Sequence, residues 1–279
     1  MGSVERVRPP AVAGLFYPAD AADLGELVDG FLSTAADDVT RLPHAPKVLV
    51  VPHAGFVYSG AIAASAYVTL RQRDSAERPQ PSRVVLLGPA HRAPVQGLAA
   101  SSADAWRTPL GDVPIDDERR ERLLICPGVS IDDDAHASEH SLEVQVPFLQ
   151  RVLGSFRLLP LLAGHPDALT IGEVLDACWG GPETLIVVST DLSHYLDYAT
   201  ASARDQATAT AIIDGAGDSV TPYDACGAYP LRGLLAALPT RGLQLRLLDL
   251  RNSGDTAGDR SRVVGYGAFA SVRCVHEPE

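Results

Sequence analysis

Four short apolar runs constrain the fold of this chain more than any other feature. Each is continuous, rich in Val, Leu and Ile, and bounded by polar or turn residues: Val48–Val51, Val84–Leu87, Leu158–Leu162 and Leu185–Val188. Strands that are apolar on both faces are typical of a largely parallel sheet covered by helices on both sides. The chain is therefore predicted to build an α/β fold.

Two later apolar runs and a set of helical patterns complete the expected architecture. The later runs are Leu245–Leu250 and Val263–Val272, and glycines inside the second favour an edge or a bulged strand. The helical patterns alternate with the strands and span Ala21–Ser33, Gly60–Leu70, Glu139–Leu153, Leu169–Cys178, Ala201–Ile213 and Leu231–Leu238. Pro147 is expected to kink or cut the third helix. We predict three α/β/α layers around a mixed, largely parallel sheet.

The domain organisation follows from length and from the lack of repeats. A chain of 279 residues that is 46% hydrophobic can form one large domain or two small ones. The best candidate for a linker, Arg71–Pro81, is a polar loop between a predicted helix and a predicted strand. We therefore predict a single domain over residues 1–279.

The charge balance argues against two classes of partner. The formal net charge is −12 and no basic run is present, so neither nucleic acid nor an anionic membrane surface is an expected partner. The first twenty residues lack the apolar core of a signal peptide, and no apolar stretch approaches the roughly 18 residues of a spanning helix. A cytoplasmic location is the resulting expectation.

Three of the apolar runs lead into a histidine just beyond the carboxyl end of the predicted strand. The first run leads into His53, the second into His91 and the fourth into His194. Ligands of open α/β sheets bind at that edge, and neighbouring strands lie about 4.8 Å apart. Neutral imidazole is a common ligand of zinc, copper and non-haem iron. The pattern predicts a metal site at this edge of the sheet.

Two further segments add candidate groups to this site. Glu139, His140 and Glu143 share one face of the helix expected there. The helix dipole accounts for Glu139 in a first turn, whereas His140 remains a candidate to face the site. Cys226 precedes an apolar helix, where the dipole favours the thiolate and suits metal ligation or nucleophilic attack.

The remaining cysteines and histidines have no comparable setting. The four cysteines are widely spaced without a CxxC pair, which argues against a zinc ribbon and a disulfide framework. We interpret three of them as small buried hydrophobes and three histidines as solvated side chains, namely Cys126, Cys178 and Cys274, and His136, His165 and His276.

Short motifs follow one another along nearly the whole chain. They are Arg8-Pro9-Pro10-Ala11-Val12-Ala13-Gly14, Phe16-Tyr17-Pro18, Pro52-His53-Ala54-Gly55, Tyr58-Ser59-Gly60, Leu87-Gly88-Pro89-Ala90-His91, Glu139-His140-Ser141-Leu142-Glu143, Ser189-Thr190-Asp191-Leu192-Ser193-His194, Cys226-Gly227 and Gly265-Tyr266-Gly267. In this order they resemble the motifs of the MEMO-like family, and several together make a specific signal.

The resemblance implies a fold like that of the class III extradiol dioxygenases, which hold non-haem iron with two histidines and a glutamate. Carried over to this chain, His53 and His91 are the metal-ligating histidines, and Cys226 takes the third ligand position. A thiolate is softer than a carboxylate, so it favours copper, zinc or a differently poised iron. Dioxygenase chemistry is therefore not simply inherited.

The resemblance also assigns catalytic candidates and partners. His140, Asp191 and His194 match family residues that line the same cleft. His140 or His194 would act as acid or base, and Asp191 would orient a histidine or a bound water. The family is linked to phosphotyrosine-peptide binding and metal-dependent redox signalling in eukaryotes, and in prokaryotes it is often encoded beside a radical-SAM protein. The implied partner is a small molecule or a peptide, with a functional link to a radical-SAM protein.

Three functional hypotheses follow. The first is a redox-capable metalloprotein that holds iron or copper, with zinc as a further candidate, at the two histidines and the cysteine. The second is a module that binds a peptide or an anionic ligand without turnover, although arginines are not evident near the site. The third is metal-free thiol chemistry with Cys226 as nucleophile, which leaves two histidines without a role.

Overall fold

A computed structural model describes residues 6–39, 41–71 and 80–274. The helices are α1 Ala21–Asp38, α2 Phe56–Tyr67, α3 Asp117–Leu123, α4 Asp133–Ala137, α5 Val146–Leu153, α6 Ala168–Cys178, α7 Tyr198–Ile213 and α8 Ala228–Ala237. The strands are β1 Val7–Arg8, β2 Val48–Val51, β3 Arg83–Pro89, β4 Leu98–Ala100, β5 Ala105–Thr108, β6 Gly111–Pro114, β7 Val129–Ile131, β8 Arg157–Ala163, β9 Thr184–Ser189, β10 His194–Leu196, β11 Leu243–Asn252 and β12 Val263–Arg273. Short 3-10 turns span Val68–Leu70, Glu143–Gln145, Gly217–Ser219, Pro239–Arg241 and Ser253–Asp255.

One large mixed sheet organises the molecule. Its strand order is β10-β12-β2-β9-β3-β8-β4-β7, with β11 paired to β12, and β1, β5 and β6 form a small separate sheet. The central strands β2, β9, β3 and β8 run parallel to one another. Strand β12 is antiparallel to β2, and β4 is antiparallel to β8. The prediction of a mixed, largely parallel sheet is confirmed.

Helices cover both faces of this sheet, because alternate residues of its strands point to opposite sides. Leu49 and Val51 of β2 pack into a core with side chains of α1, α2 and α5. Val48 and Val50 of the same strand pack into a second core with side chains of α6, α7 and α8. All four residues are fully buried, which explains the continuous apolar run and confirms the three-layer prediction.

Of the two alternatives for Val263–Val272, the edge strand is wrong, whereas an irregular, bulged pairing is found. Strand β12 lies between β11 and β2, and the register irregularities fall within its pairings with β11 and β10. Gly265 serves close packing, because a Cβ atom there would lie 1.9 Å from Oδ2 of the buried Asp205.

The expected helix over Glu139–Leu153 is also wrong in its first half. Helix α5 begins at Val146 and carries Pro147 in its first turn, so the proline does cut the pattern as predicted. A turn and then a 3-10 turn at Glu143–Gln145 precede the helix. Glu139, His140 and Glu143 therefore do not share a helical face.

Most of the predicted linker Arg71–Pro81 lies outside the described residues, and the single domain over 1–279 stays a prediction.

Among the helices that the structure describes, none has the length and hydrophobicity to cross a membrane.

Candidate metal centre

The topology of the sheet brings the predicted site residues together. His53 follows β2, Asp191 follows β9 and His91 follows β3, and these three strands are parallel neighbours. Their carboxyl ends therefore lie side by side, and the loop before α5 adds His140. One ring nitrogen from each of His53, His91 and His140 lies within 4.8 Å of the others.

The three imidazole rings form a compact cluster with one buried and one open side. Ring centroids are 5.2 Å apart for His53 and His91, and 5.5 Å apart for His53 and His140. His91 and His140 stack with ring centroids 4.9 Å apart and an interplanar angle of 23°. The ring of Phe16 also packs on His140, with centroids 4.7 Å apart. His53 is buried, whereas 29% of the His91 side chain is exposed, so a ligand can approach from the His91 side.

Hydrogen bonds determine which nitrogen of His53 carries the proton. Its Nδ1 lies 2.9 Å from Ser189 Oγ. That hydroxyl donates its proton to the Ser141 carbonyl at 2.6 Å and accepts from the Gln145 amide at 2.8 Å. His53 Nδ1 must therefore donate, and Nε2 keeps a free lone pair. Burial, reinforced by the neighbouring His91 and His140, lowers the pKa of His53 well below its ordinary value, so the ring is neutral.

Cys226 lies beside this free nitrogen. Its Sγ is 3.3 Å from His53 Nε2 and accepts a hydrogen bond from Asp191 N at 3.3 Å. Burial, followed by the charge of Asp191, raises the pKa of Cys226 to about 12. Cys226 precedes α8 as the sequence indicated, and burial acts against the thiolate there when no ion is bound.

The spacing of these donors suits a single ion. Nitrogen and sulfur ligands at about 2.05 and 2.3 Å from a tetrahedral ion lie roughly 3.5 Å apart, close to the observed 3.3 Å. Among the described residues, the mutually close set consists of His53, His91 and His140, and Cys226 adjoins it through His53. The structure thus groups His53 and His91 with His140, and Cys226 contacts this group at His53.

The two remaining predicted residues lie at the same edge of the sheet. Asp191 is buried and its Oδ1 accepts a hydrogen bond from the backbone N–H of His53 at 2.7 Å. Burial raises the pKa of this carboxyl group, although the His53 N–H and nearby histidines oppose the change. His194 donates from Nδ1 to the Leu192 carbonyl at 2.8 Å and lies outside the mutually close set. Asp191 thus fixes the backbone that carries His53.

Comparison with known proteins now decides the family. The profile of the family described as Memo-like protein matches residues 8–270. The chain belongs to the Memo-like family. It is 37% identical to a MEMO1 family protein of Aquifex aeolicus over 94% of this chain and 97% of that one, and 39% identical to one of Methanopyrus kandleri over 95% and 99%.

A solved structure agrees with the fold of this Memo-like protein. An uncharacterized protein of Escherichia coli K12 matches 80% of this chain and 99% of its own, with a TM-score of 0.50 and 14% identity. The helix-flanked mixed sheet is the class III extradiol dioxygenase-like fold expected for the family.

A residue that sequence reasoning missed holds two histidines of the Memo-like site. Glu139 is buried, its Oε2 accepts from His91 N, and its Oε1 lies 3.1 Å from His91 Nδ1. Burial alone would raise the pKa of Glu139, but the rings of His140 and His91 and the Ser141 N–H hold it far below its ordinary value. The interpretation of Glu139 as a helix-dipole partner is wrong, because no helix begins there. Apart from its position in the motif, the sequence carries no signal for this role.

The other histidines and cysteines have mixed outcomes. His136 is buried in α4, so its interpretation as a solvated side chain is wrong, whereas His165 is exposed as predicted. His276 lies outside the described residues. Cys178 is buried as expected, and Cys126 and Cys274 are half-buried.

Two motifs of the Memo-like family serve packing around the site. A Cβ atom on Gly227 would lie 2.7 Å from Thr190 Cβ and 2.9 Å from the Ser189 carbonyl oxygen, so glycine lets Cys226 approach β9. Near the amino end, Arg8 and Tyr17 bind the Glu143 carboxylate, each at 2.6 Å. The first motif thus docks onto the segment that carries His140.

Proposed function

We propose that this Memo-like protein is a redox-capable metalloprotein with one transition-metal ion held by His53, His91 and Cys226. His140 is the fourth group at the same point. The observation that carries the proposal is the convergence of three imidazole nitrogens within 4.8 Å, with a sulfur 3.3 Å from one of them. Imidazole nitrogens and a cysteine sulfur are the donor chemistry of iron, copper and zinc sites.

The donor set favours iron or copper, with zinc as the further candidate. When bound, such an ion would supply Lewis acidity and, for iron or copper, one-electron chemistry. An ion bound through Cys226 requires the thiolate, so binding must release the proton that burial retains. We propose dioxygenase-like oxidation of a small molecule as the reaction.

The protein's own residues have separate roles in this proposal. His140, partly exposed beside His91, exchanges a proton with the substrate. His194 is the second acid or base, since Nδ1 donates to the Leu192 carbonyl and the lone pair therefore lies on Nε2. Asp191 positions His53 through its backbone N–H. The functional link to a radical-SAM protein stays a prediction.

Metal analysis tests the proposal directly. Protein purified without a His-tag is incubated anaerobically with iron(II), copper(I) or zinc, freed of excess metal, and subjected to elemental analysis. We expect one ion per chain in the wild type and none in His53→Ala combined with His91→Ala. The exposed His165 provides the matched control, because His165→Ala should bind as the wild type does. Wild-type protein that stays metal-free with all three ions would overturn the proposal.

Cobalt(II) substitution tests the sulfur ligand separately. If Cys226 binds the ion, the wild type shows a sulfur-to-cobalt charge-transfer band that Cys226→Ser lacks. A cobalt-loaded wild type without this band contradicts the Cys226 assignment and leaves the three imidazoles as the ligand set.

A second candidate is a module that binds a peptide or an anionic ligand in the same cleft without turnover. One observation favours it: the Arg262 guanidinium lies 5.1 Å over the ring of Tyr195, whose neighbour His194 adjoins the site. Tyr195 also has a backbone φ of 60°, which is strained for a residue other than glycine. Peptide binding that survives His53→Ala combined with Cys226→Ser would favour this module over the metal proposal.

A further inference from the structure

A single buried carboxylate contacts two of the clustered histidines at once. Glu139 Oε1 lies 3.1 Å from Nδ1 of His91 and 3.1 Å from Nδ1 of His140. Just 2% of the Glu139 side chain is exposed, so water does not weaken these contacts. The two rings lie nearly parallel beside this carboxylate, 4.9 Å apart.

Backbone N–H groups hold the carboxylate itself in place. Oε2 accepts from His91 N at 2.5 Å and from Arg92 N at 3.2 Å. Oε1 accepts from His140 N at 2.9 Å and from Ser141 N at 3.0 Å. Glu139 therefore links the loop after β3 to the loop before α5, and both loops carry a histidine of the cluster.

The position of the carboxylate determines which ring nitrogen of His91 carries the proton. An ionised carboxylate accepts hydrogen bonds and cannot donate, so His91 Nδ1 must carry the proton and Nε2 keeps its lone pair. His140 Nδ1 is also buried and lies 3.1 Å from Glu139 Oε1, but the angles do not allow a hydrogen bond. This nitrogen has no hydrogen-bond partner among the described residues. The carboxylate instead holds His140 through the backbone N–H of that residue, which donates to Oε1.

We propose that Glu139 is a positioning residue that sets the tautomer of His91 and the stacked orientation of His91 and His140. The inference rests on the proposed metal site, because it explains how rings from two separate loops are held at one point. Carboxylates that hold a metal-ligating histidine through its other nitrogen typically contribute 10–100-fold to metal affinity. One carboxylate that serves two rings couples them, so its loss affects both.

Ring tautomers in metal-free protein provide the first test. Nitrogen-15 NMR of labelled histidines should show His91 protonated at Nδ1 in the wild type. In Glu139→Gln, where one oxygen is replaced by an NH₂ donor, the His91 signal should shift toward the Nε2-protonated form. A wild-type His91 protonated at Nε2 would overturn the inference even if the variant failed to fold.

Metal affinity, measured by competition with a chelator, provides the second test. We expect zinc binding by Glu139→Gln to be about 10–100-fold weaker than by the wild type. Glu143→Gln is the matched control, since it removes a buried carboxylate of the same motif that contacts Arg8 and Tyr17 instead of a histidine. It should lower thermal stability and leave zinc affinity and tautomers unchanged.

The outcomes separate this inference from the proposed function. Wild-type tautomers and affinity retained in Glu139→Gln would show that the carboxylate merely folds the loop, which contradicts the inference. A wild type that binds no metal defeats the proposed function, and the tautomers of the metal-free protein still decide the role of Glu139.

Discussion

His53 and His91 each depend on one hydrogen-bond partner for the position of the ring proton. For His53 that partner is the Ser189 hydroxyl, whose own proton is directed to the Ser141 carbonyl. The histidines themselves were predictable, because a strand followed by a histidine is visible in the sequence. Ser189 and Glu139 were not, because the identity of such a partner depends on which loop lies opposite the ring.

Replacement of Ser189 by alanine should weaken metal binding by about 10–100-fold, because His53 Nδ1 loses its acceptor and the ring can rotate or change tautomer. The same change leaves the Gln145 amide without this acceptor, at a cost of about 1–3 kcal/mol in the free energy of unfolding. Zinc competition and urea unfolding measure the two effects.

Ser271→Ala is the control for this prediction. The Ser271 hydroxyl is also buried, and it accepts from Lys47 N and Val48 N at the opposite end of β2. This variant should lose stability with no change in zinc affinity. Equal affinities for Ser189→Ala and the wild type would refute the role given to the hydroxyl.

At the scale of elements, the central strands were predictable because they are buried along their whole length. Several partly exposed elements lack such continuous apolar runs and were not predicted. The four apolar runs all lie within β2, β3, β8 and β9, which extend at most two residues beyond them. The small sheet was missed because β5 and β6 are four residues long and partly exposed. Helix α3 was missed because its sequence, DERRERL, buries just Leu123 and has no apolar stripe.

The turn before α8 packs on the carboxyl end of β9 and so places Cys226, and Gly227 makes that contact close. A Gly227→Ala change should force this turn away from β9. The new Cβ would lie less than 3 Å from the Thr190 side chain and from the Ser189 carbonyl oxygen. We expect a loss of about 1–3 kcal/mol in unfolding free energy and a weaker sulfur-to-cobalt band in the cobalt-substituted protein.

Gly172→Ala in α6 is the matched control. A Cβ atom there meets nothing within 4 Å, so the variant should gain about 1 kcal/mol through helix propensity and keep the band. An unchanged band and unchanged stability in Gly227→Ala would show that the glycine is dispensable for positioning Cys226.

At the scale of the whole molecule, Arg8 joins the amino-terminal segment to the site-bearing loop. Its guanidinium donates to the Glu143 carboxylate at 2.6 Å, to the His136 carbonyl at 2.7 Å and to the Glu139 carbonyl at 2.9 Å. It also lies 4.2 Å over the Trp106 ring. The motif contains this arginine but gives no sign of its partners, because its hydrogen-bond acceptors at His136, Glu139 and Glu143 lie 128 or more residues away in the chain.

Arg8→Gln should therefore lower the free energy of unfolding by about 3–5 kcal/mol, because Glu143 would keep a buried charge without its cation. Denaturant unfolding measures the loss. The exposed pair of Arg122 with Glu118 gives the comparison, and Arg122→Gln should change stability by less than about 0.5 kcal/mol. Similar losses in both variants would contradict a special role for the buried pair.

His136 makes global stability depend on pH. Burial lowers the pKa of His136 to about 4 from its ordinary 6.5, against the opposing hydrogen bond with the Ala99 carbonyl. In the unfolded chain His136 therefore becomes protonated below about pH 6.5, whereas in the folded protein it becomes protonated only near pH 4. This residue contributes stability above pH 6.5, and the contribution falls by about 3 kcal/mol as the pH drops toward 4.

Urea unfolding of the wild type and of His136→Gln at pH 7 and pH 4.5 isolates this effect, because both proteins share all other titrating groups. Glutamine can still donate to the Ala99 carbonyl but does not titrate. The stability of the wild type relative to the variant should therefore fall between the two pH values. A difference that stays constant would mean that His136 becomes charged in the folded protein as readily as in the unfolded chain, and that its burial in α4 does not resist protonation.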